Sequence, residues 1–400
     1  MSGGGRPAAD PGDALIEVVD AFATAPLERI RVDVVAVPFR SPIVTAAGAW
    51  VIRRSLLITL RDTDGAAGTG EIAPARGEEE AAIAVLASLA GRLDGLTPAQ
   101  VLAAVEEDRS ADRSVELALA SVIEAGLESA LLDLAGRRAG LPVAAMLAGA
   151  SGRGVARLRV PVSALVSAAD PEAAGAAARA AVARGPRCVK LKVGGERDTA
   201  AFASRVAAVR TAIGGDVDLR LDANGAWTVD LAVERLRAVE EQRIAYVEQP
   251  VAEVEGLVAV RAASRVPVAA DEAVRGAAAA RRLLDAGAVD VLVVKPVRVG
   301  GAIETLRIAR IAAEAGVPVV LSTFYETGIG LAAALHVAAA LPAGDETHGI
   351  ATGDLLASDL LAQRPRIADG WAEIPDAPGL GVETSPDLVA EFRESAAGIR

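Results

Sequence analysis

The repeating pattern of this chain is clearest in two consecutive segments, CVKLKVG (188–194) and VDLRLDA (217–223). Each is a short apolar run, and an Ala-rich stretch with helical periodicity separates them. Six more runs have the same character, one before these two segments and five after them: RLRVPVSAL (157–165), AYVEQP (245–250), VPVAADE (266–272), VDVLVVKP (289–296), VPVVLST (317–323) and, more weakly, HGIAT (348–352). Successive runs begin roughly 20 to 30 residues apart, which is the length of a βα unit rather than of a hairpin. Eight such units predict a TIM-type barrel.

The segments ahead of this repeat are different. RIRVDVVAVPF (29–39) and SLLITLRDTDGAAGTGE (55–71) alternate apolar and polar residues, as antiparallel strands do, and helical segments follow at 81–93 and 115–140. We therefore predict an α/β protein, a modified TIM-type (β/α)7β barrel with an α+β capping domain formed by the N-terminal part and the C-terminal tail. The predicted bounds are 1–26 for a flexible extension, 27–154 for the capping domain, 155–358 for the barrel and 359–400 for a tail packing on the capping domain.

Composition narrows the function classes. No stretch of about 18 apolar residues lacks a charge, which argues against a membrane-bound protein. The first residues lack the charged start and apolar run of a secretory signal, and Cys188 is the only cysteine, so we expect no internal disulfide and a cytoplasmic location. A net charge of −12 without a basic run argues against a nucleic-acid partner. An anionic substrate would have to be held by a metal ion or by a few placed lysines.

An acidic residue ends each of three successive predicted strands: Asp222, Glu248 and Asp271. Because the carboxyl ends of barrel strands meet at one face, these carboxylates should converge, and they would repel one another unless a hard cation lay between them. Oxygen-only ligands favour Mg²⁺ over zinc. The alternative for each acid is a helix N-cap or a solvated loop position. Two nearby residues, Asn224 and Glu272, either bind a ligand or cap the next helix.

The lysines are the second unusual feature. Lys190 and Lys192 lie two apart on one strand, so both point to the same side, which we take to be the barrel interior. Lys295 ends the sixth run, and strands two and six of an eight-stranded barrel are opposite, so Lys192 and Lys295 should face each other across the pocket. Crowding by like charge and a metal should lower a lysine pKa toward the range of a base. The alternative is an edge strand with solvated lysines.

Other catalytic systems are poorly supported. The chain has only two histidines, His336 and His348, for which packed or surface positions are the favoured interpretation, and it has no Walker lysine motif. Gly300 and Gly301 alone are too weak a signal for a phosphate site.

Taken together, the motifs GTGEIAP (68–74), KLK (190–192), LDAN (221–224), VEQP (247–250), ADE (270–272) and KPVRVGG (295–301) resemble those of the enolase superfamily, specifically its muconate-lactonising subgroup. The resemblance covers roughly residues 30 to 370. It implies Mg²⁺, with Mn²⁺ as a possible substitute, bound by Asp222, Glu248 and Asp271. It also implies Lys192 and Lys295 as acid/base residues with Lys190 in support. The expected partner is a small-molecule carboxylate substrate, and a homo-oligomer is a candidate assembly.

Within that subgroup the motifs resemble those of two different kinds of enzyme. GIATGDLLASDL (349–360) and STFYETGIG (322–330), with Ser322 and Glu326, look like the o-succinylbenzoate synthases, dehydratases of menaquinone biosynthesis, and Arg220 is similar to an arginine in some of them. Arg298 instead looks like an arginine of N-succinylamino acid racemases. A cycloisomerase or a dipeptide epimerase remains a further alternative, although Asp354 stands alone where epimerases typically carry an acidic pair. Trp50, Arg53 and Ser322 are candidates for contacts with the substrate tail, and Asn224 is another candidate substrate ligand.

Overall fold

The computed structural model describes residues 10–45, 48–110, 117–342 and 344–397. Its N-terminal part contains three long antiparallel strands followed by helices. In chain order these elements are α1 (Pro11–Phe22), β1 (Leu27–Thr45), β2 (Gly48–Asp62), β3 (Ala67–Ile72), α2 (Glu79–Leu93), α3 (Pro98–Ser110), α4 (Leu117–Ala139) and α5 (Val143–Ala150). None of the helices described is long and apolar enough to cross a lipid bilayer.

Helix α1 corrects the prediction of a flexible extension through residue 26. Asp10 caps the helix by accepting a hydrogen bond from the Gly12 backbone N–H at 2.8 Å, and Leu15 and Val19 are fully buried. The Asp10 carboxylate also forms a salt bridge with Arg307 of the barrel. The N-cap followed by proline was a readable start signal for a helix. Residues 1–9 lie outside the described part.

Two glycines let strand β3 approach helix α4 closely. A Cβ atom on Gly68 would lie 2.2 Å from the Ala130 carbonyl oxygen, and one on Gly70 would lie 2.1 Å from the Gly126 carbonyl oxygen. No larger residue fits at either position without moving the backbone. The GTGE motif is thus explained by packing at its glycines, while its glutamate serves another purpose, described below.

The barrel follows in a regular strand–helix alternation. Its elements are β4 (Arg159–Pro161), β5 (Ala164–Val166), α6 (Pro171–Val182), β6 (Cys188–Lys192), α7 (Thr199–Ile213), β7 (Asp218–Asp222), α8 (Val229–Ala238), β8 (Ile244–Glu248), α9 (Val254–Ala263), β9 (Val268–Ala270), α10 (Ala277–Asp285), β10 (Val291–Val294), α11 (Pro296–Val299), α12 (Ala302–Glu314), β11 (Val319–Leu321) and α13 (Gly328–Ala340). Strands β5 to β11 form one seven-stranded sheet with parallel neighbours.

The predicted eighth strand is reduced to isolated bridges. Gly349 pairs with Ser322 beyond β11, and His348 pairs with Val162 ahead of β5, both in parallel, so this short segment joins the two edges of the sheet. Five residues on four strands, Tyr246, Ala269, Val291, Val293 and Val320, form a separate apolar cluster. This cluster fills the interior below the strand ends, because side chains two apart on a strand share a face. The (β/α)7β prediction is confirmed.

The C-terminal tail returns to both domains. It contains β12 (Ile367–Ala368), β13 (Trp371–Glu373), α14 (Pro386–Phe392) and β14 (Arg393–Ala397). Strand β13 pairs with β4 of the barrel, whereas β14 pairs antiparallel with β1 of the capping domain. The tail therefore ties the two domains together rather than packing on the capping domain alone.

Two glutamates of the capping domain cap helices of the barrel. Glu71 accepts hydrogen bonds at the start of α13 from Thr327 N (2.9 Å), Thr327 Oγ1 (2.7 Å) and Gly330 N (3.0 Å). Glu128 accepts from the backbone N–H groups of Ala302 and Ile303 at the start of α12. The first N–H groups of a helix have no partner within it and carry partial positive charge. Neither helix has a side-chain cap of its own, so the capping domain completes both.

Candidate active site

A cavity of about 290 Å³ opens at the carboxyl ends of the barrel strands, below the capping domain. Its floor carries the three lysines predicted from the sequence, and its walls are mostly neutral. The lining residues are Trp50, Ala75, Ser163, Leu165, Lys190, Lys192, Asn224, Glu272, Lys295, Ser322, Thr323, Phe324, Tyr325, Gly349, Ala351 and Thr352.

The three predicted acids converge beside this floor. Lys192 pairs with Asp222 and Asp222 with Glu248 in the parallel sheet register, and Asp271 follows β9 directly. One carboxylate oxygen from each acid lies within 4.8 Å of the others, and all three residues are buried. The N-cap alternative does not apply, because helices α8, α9 and α10 have Thr228, Glu253 and Gly276 at their N-caps.

The lysine ammonium groups lie directly on these carboxylates. Lys190 Nζ is 2.7 Å from Asp222 Oδ2 and 2.6 Å from Glu248 Oε1, and Lys192 Nζ is 2.7 Å from Asp222 Oδ2. Lys295 donates to both oxygens of Asp271. The two lysines predicted to oppose each other are therefore bonded to different ends of the acidic triad. The edge-strand alternative fails, because β6 is an inner strand and Lys190 is buried.

The predicted lowering of the lysine pKa values included the effect of a bound metal, and in the metal-free protein the pKa values of Lys190 and Lys295 shift in the opposite direction. Burial opposes the charged form of Lys190, but the carboxylates of Asp222 and Glu248 overcome it and raise the Lys190 pKa well above its usual value. Burial is likewise outweighed at Lys295, whose pKa the Asp271 carboxylate raises. Nearby opposite charge stabilises the ammonium form more than desolvation destabilises it. A base function for these lysines requires something that compensates the carboxylates.

The pKa values of the acids shift in different directions. Burial raises the pKa of Asp222, yet Lys190 and Lys192 reverse this and hold it far below its usual range. Burial and the neighbouring Asp222 carboxylate instead raise the pKa of Glu248. For Asp271, the Lys295 ammonium outweighs burial and lowers the pKa. The ammonium groups of Lys190, Lys192 and Lys295 offset the repulsion among the three carboxylates.

This donor set fits a divalent metal ion. The three oxygens come from rigid strand ends, they are close enough to share one ion, and the ammonium groups now occupy positions where positive charge is required. Carboxylate oxygens without nitrogen or sulfur ligands are typical of Mg²⁺ or Mn²⁺ sites. Asp222, Glu248 and Asp271 could therefore hold such an ion.

Asn224 and Glu272 form a bridge across the cavity floor. Asn224 Oδ1 accepts a hydrogen bond from Lys192 Nζ at 2.9 Å, and Asn224 Nδ2 donates to Glu272 Oε1 at 2.9 Å. Asn224 has a positive φ of 47°, a strained value that the surrounding structure must maintain. Neither residue is a helix N-cap. Both line the cavity, and Asn224 contacts Lys192.

Four of the predicted substrate-binding residues, Arg53, Arg220, Arg298 and Glu326, are not among the cavity-lining residues, whereas Trp50, Asn224 and Ser322 are. Arg220 is buried, its guanidinium carbon is 4.8 Å from the ring centroid of Tyr246, and its Nη1 donates to the Thr347 carbonyl at 2.6 Å. Glu326 is buried behind the wall and accepts from Phe324 N at 2.7 Å. Arg298 also lies behind this wall, as described next.

The cavity wall opposite the lysines is aromatic, and of its residues Trp50, Phe324 and Tyr325 only Trp50 was predicted from the sequence. Only ten residues of the chain are Phe, Tyr or Trp, yet Trp50 packs edge to face against Phe324 at 5.5 Å and against Tyr325 at 6.2 Å. Behind them, the guanidinium carbons of Arg53 and Arg298 lie 5.5 and 4.8 Å from the Phe324 ring centroid. The adjacent Phe and Tyr of the STFYETG segment were the available signal in a chain with so few aromatic residues.

The two histidines and the cysteine of the chain do not line the cavity. His336 accepts from Ala144 N at 3.0 Å and lies 3.0 Å from the Leu380 carbonyl oxygen, and burial lowers its pKa to about 4. His348 accepts from Leu321 N at 3.1 Å. Cys188 is buried, and burial raises the pKa of its thiol to about 11. Both histidines are packed groups, as the sequence indicated.

Comparison with known proteins places this geometry in a family. Residues 172–388 match the family described as enolase C-terminal domain-like, and residues 29–148 match the mandelate racemase/muconate lactonizing enzyme N-terminal domain. An o-succinylbenzoate synthase from Thermobifida fusca is 44% identical over 202 residues, which are 50% of this chain and 62% of that enzyme. A hydrophobic dipeptide epimerase from Enterococcus faecalis is 33% identical over 273 residues, 66% of this chain and 73% of that protein.

A solved structure gives the same result. The muconate lactonizing enzyme from Pseudomonas fluorescens, complexed with muconolactone, has a TM-score of 0.85 and 29% identity, and the match covers 92% of this chain and 100% of that one. The fold, the family matches and the converging acids and lysines agree. The chain belongs to the mandelate racemase/muconate lactonizing enzyme family of the enolase superfamily.

Proposed function

We propose that this protein is a Mg²⁺-dependent o-succinylbenzoate synthase, a carbon–oxygen lyase that dehydrates 2-succinyl-6-hydroxy-2,4-cyclohexadiene-1-carboxylate to 2-succinylbenzoate. The observation that carries the proposal is the presence of Lys192 and Lys295 in one cavity, each bonded to a different acid of the triad. The similarity to the Thermobifida fusca enzyme supports the same reaction.

In this reaction Lys192 removes the proton from the ring carbon that bears the carboxylate. The same ammonium group then protonates the departing hydroxyl, which leaves as water, and the ring becomes aromatic. Lys295, on the other side of the cavity, stabilises the negative charge that develops on the substrate. Mg²⁺ bound by the three acids would stabilise that charge and offset the carboxylates that now raise the pKa values of Lys190 and Lys295.

The chain positions Lys192 with three partners. Its Nζ is held by Asp222 and by the Asn224 side chain, and Asn224 is in turn fixed by Glu272. Its carbonyl oxygen accepts a hydrogen bond from Arg205, which itself pairs with Glu196. A base held at both its backbone and its ammonium group has little freedom to turn away from the substrate carbon, which favours efficient proton transfer.

The cavity walls favour a substrate built on a planar, unsaturated ring. Trp50, Phe324 and Tyr325 provide an aromatic surface, and hydroxyl groups of four residues provide neutral hydrogen bonds. These residues are Ser163, Ser322, Thr323 and Thr352. Apart from Glu272, none of the lining residues outside the lysine floor is charged. Asp354, the candidate ligand for a substrate ammonium, is 96% exposed and lies 3.4 Å from Arg364 instead.

A second candidate is racemisation of N-succinylamino acids or epimerisation of dipeptides. The two lysines at different ends of the triad suit a two-base reaction, in which one removes the α-proton and the other returns a proton to the opposite face. The similarity to the Enterococcus faecalis epimerase supports this candidate. Arg298 does not contribute to the choice through direct contact, since it lies behind Phe324.

The decisive experiment gives the purified protein each substrate class separately, with Mg²⁺ and with a chelator. Conversion of the cyclohexadiene carboxylate is followed by the absorbance of the aromatic product, and inversion of N-succinylamino acids and dipeptides by polarimetry. We expect Mg²⁺-dependent aromatisation to exceed either inversion in kcat/KM by at least about tenfold. Efficient inversion without aromatisation would replace the dehydratase with the second candidate.

A further inference from the structure

Gln249 connects the strand ends that carry the three acids. It follows Glu248 directly, is 1% exposed and has a positive φ of 39°. Its backbone N–H donates to the Ala269 carbonyl at 2.8 Å, and its carbonyl accepts from Gly225 N at 2.7 Å. The main chain of this one residue is therefore bonded to the strand ends on both sides of its own.

The side chain adds bonds that reach the third acid. Gln249 Oε1 accepts from Asp271 N at 2.9 Å and from Ala273 N at 3.2 Å. Its Nε2 donates to the Val251 carbonyl at 2.9 Å and approaches the Ala252 carbonyl at 3.5 Å. Two backbone donors on one side and two carbonyls on the other fix the orientation of the amide.

These hydrogen bonds fix the distance between Glu248 and Asp271, which a side chain that only filled space would not do. A fully hydrogen-bonded buried amide is rigid, because any displacement leaves a buried donor or acceptor without a partner. Glu248 is bonded covalently to Gln249, and Asp271 is held through its own backbone N–H. A shift of the Gln249 side chain would therefore change the separation of two acids of the triad. The positive φ indicates strain that this network maintains.

We propose that Gln249 is a positioning residue that sets the spacing of Glu248 and Asp271 and so determines how tightly the triad binds a divalent cation. The inference rests on the metal site of the proposed function. Gln249 does not contact the cavity, and its side chain acts on Asp271 only through the backbone. Its effect is on metal affinity first and on turnover only through the metal.

The test compares three substitutions by calorimetric titration with Mg²⁺. Gln249→Met keeps the length and loses all four side-chain contacts, Gln249→Asn keeps the amide but is too short, and Gln249→Glu keeps an acceptor for Asp271 N. We expect the Mg²⁺ dissociation constant to rise 10- to 100-fold for Met and Asn, and to rise less for Glu, which keeps the acceptor for Asp271 N but loses the donor to the Val251 carbonyl. Gln363→Met, at an exposed glutamine, is the matched control and should not change it.

The outcomes separate the two proposals. If wild-type protein binds no Mg²⁺, the metal site of the proposed function is wrong and this inference falls with it. If wild type binds and Gln249→Met binds equally well while only its thermal midpoint falls, Gln249 is merely structural and this inference alone is overturned. Should Gln249→Met fail to fold, the contrast between Asn and Glu decides, and equal affinity in those two variants would also overturn it.

Discussion

Lys192 donates to Oδ2 of Asp222 at 2.7 Å, so the proposed base and a proposed metal ligand are directly bonded. The same carboxylate oxygen lies 2.7 Å from Lys190 Nζ. Asp222 is therefore the carboxylate shared by the buried Lys190 and the partly exposed Lys192, and it is essential to the charge balance of the site whether or not a metal is present.

We predict that Asp222→Asn lowers the stability of the metal-free protein by about 3 kcal/mol, because removing one partner of a buried ion pair leaves the other uncompensated. Denaturant unfolding in the presence of a chelator measures this effect, and titration should show that Mg²⁺ binding is lost. The double variant Asp222→Asn with Lys190→Met should recover part of the stability. Unchanged stability in the single variant would mean that the lysines do not depend on Asp222.

The two lysines should separate dehydration from racemisation. Lys192→Ala should reduce dehydration about 10³-fold or more, since it removes the acid/base group, whereas Lys295→Ala should cost about 10²-fold through lost electrostatic stabilisation. With an N-succinylamino acid in deuterated water, each variant should exchange the α-proton of one enantiomer only, and the two variants should choose opposite enantiomers. Near-normal dehydration by Lys192→Ala would show that the base is misassigned.

Glu326 predicts a pH dependence of stability. Burial, with a further contribution from Glu71, raises its pKa from 4.5 to about 7 despite the nearby Arg53. Between these values the native state keeps a proton that the unfolded state has released, so this residue's contribution to stability falls as the pH rises from 4.5 to 7. Glu326→Gln should remove this effect and gain about 3 kcal/mol relative to wild type between pH 4 and pH 8.

Thermal or denaturant unfolding of both proteins at several pH values measures that difference. Glu391→Gln, at an exposed position, controls for the removal of one negative charge. Parallel stability curves for wild type and Glu326→Gln would show that the proton on Glu326 is not coupled to folding.

Glu71 should stabilise the contact between the domains. Glu71→Ala removes three hydrogen bonds at the start of α13, and loss of a helix cap costs about 1 to 2 kcal/mol. Glu71→Gln keeps the acceptor oxygen and should cost less. Hydrogen exchange of the Thr327 and Gly330 amides gives a local measurement. Unchanged protection of both amides in Glu71→Ala would contradict the assignment of Glu71 as a cap.

The barrel and its acids could be predicted because a parallel sheet converts sequence position into spatial position. Asp222 and Glu248 end neighbouring strands and pair in register, and Lys190 and Lys192 share one face by strand geometry alone. Arg220 obeys the same rule and pairs in register with Lys190, which lines the cavity. Its guanidinium instead reaches the Thr347 carbonyl and the Tyr246 ring, a side-chain direction that strand register alone does not determine.

Contacts between distant segments could not be predicted. Trp50 meets Phe324, and Glu71 meets Thr327, only after the capping domain docks on the barrel, and no local periodicity encodes that docking. The direction of the pKa shifts of Lys190 and Lys295 in the metal-free protein could not be predicted for a related reason. Sequence positions gave the like charges near Lys190, but the net shift depends on distances to Asp222 and Glu248 that only the folded chain sets.

The glutamates that close helices α12 and α13 limit how this protein can change over evolutionary time. A recombined gene that carried the capping domain of a related protein would need carboxylates at the positions of Glu71 and Glu128. Without them, the starts of two barrel helices behind the binding cavity would lose their caps. Trp50 in the same domain contacts the cavity, whereas these two residues contact the barrel helices and must be kept together with them. The two domains are therefore expected to be exchanged only together, and engineered chimeras should retain both carboxylates.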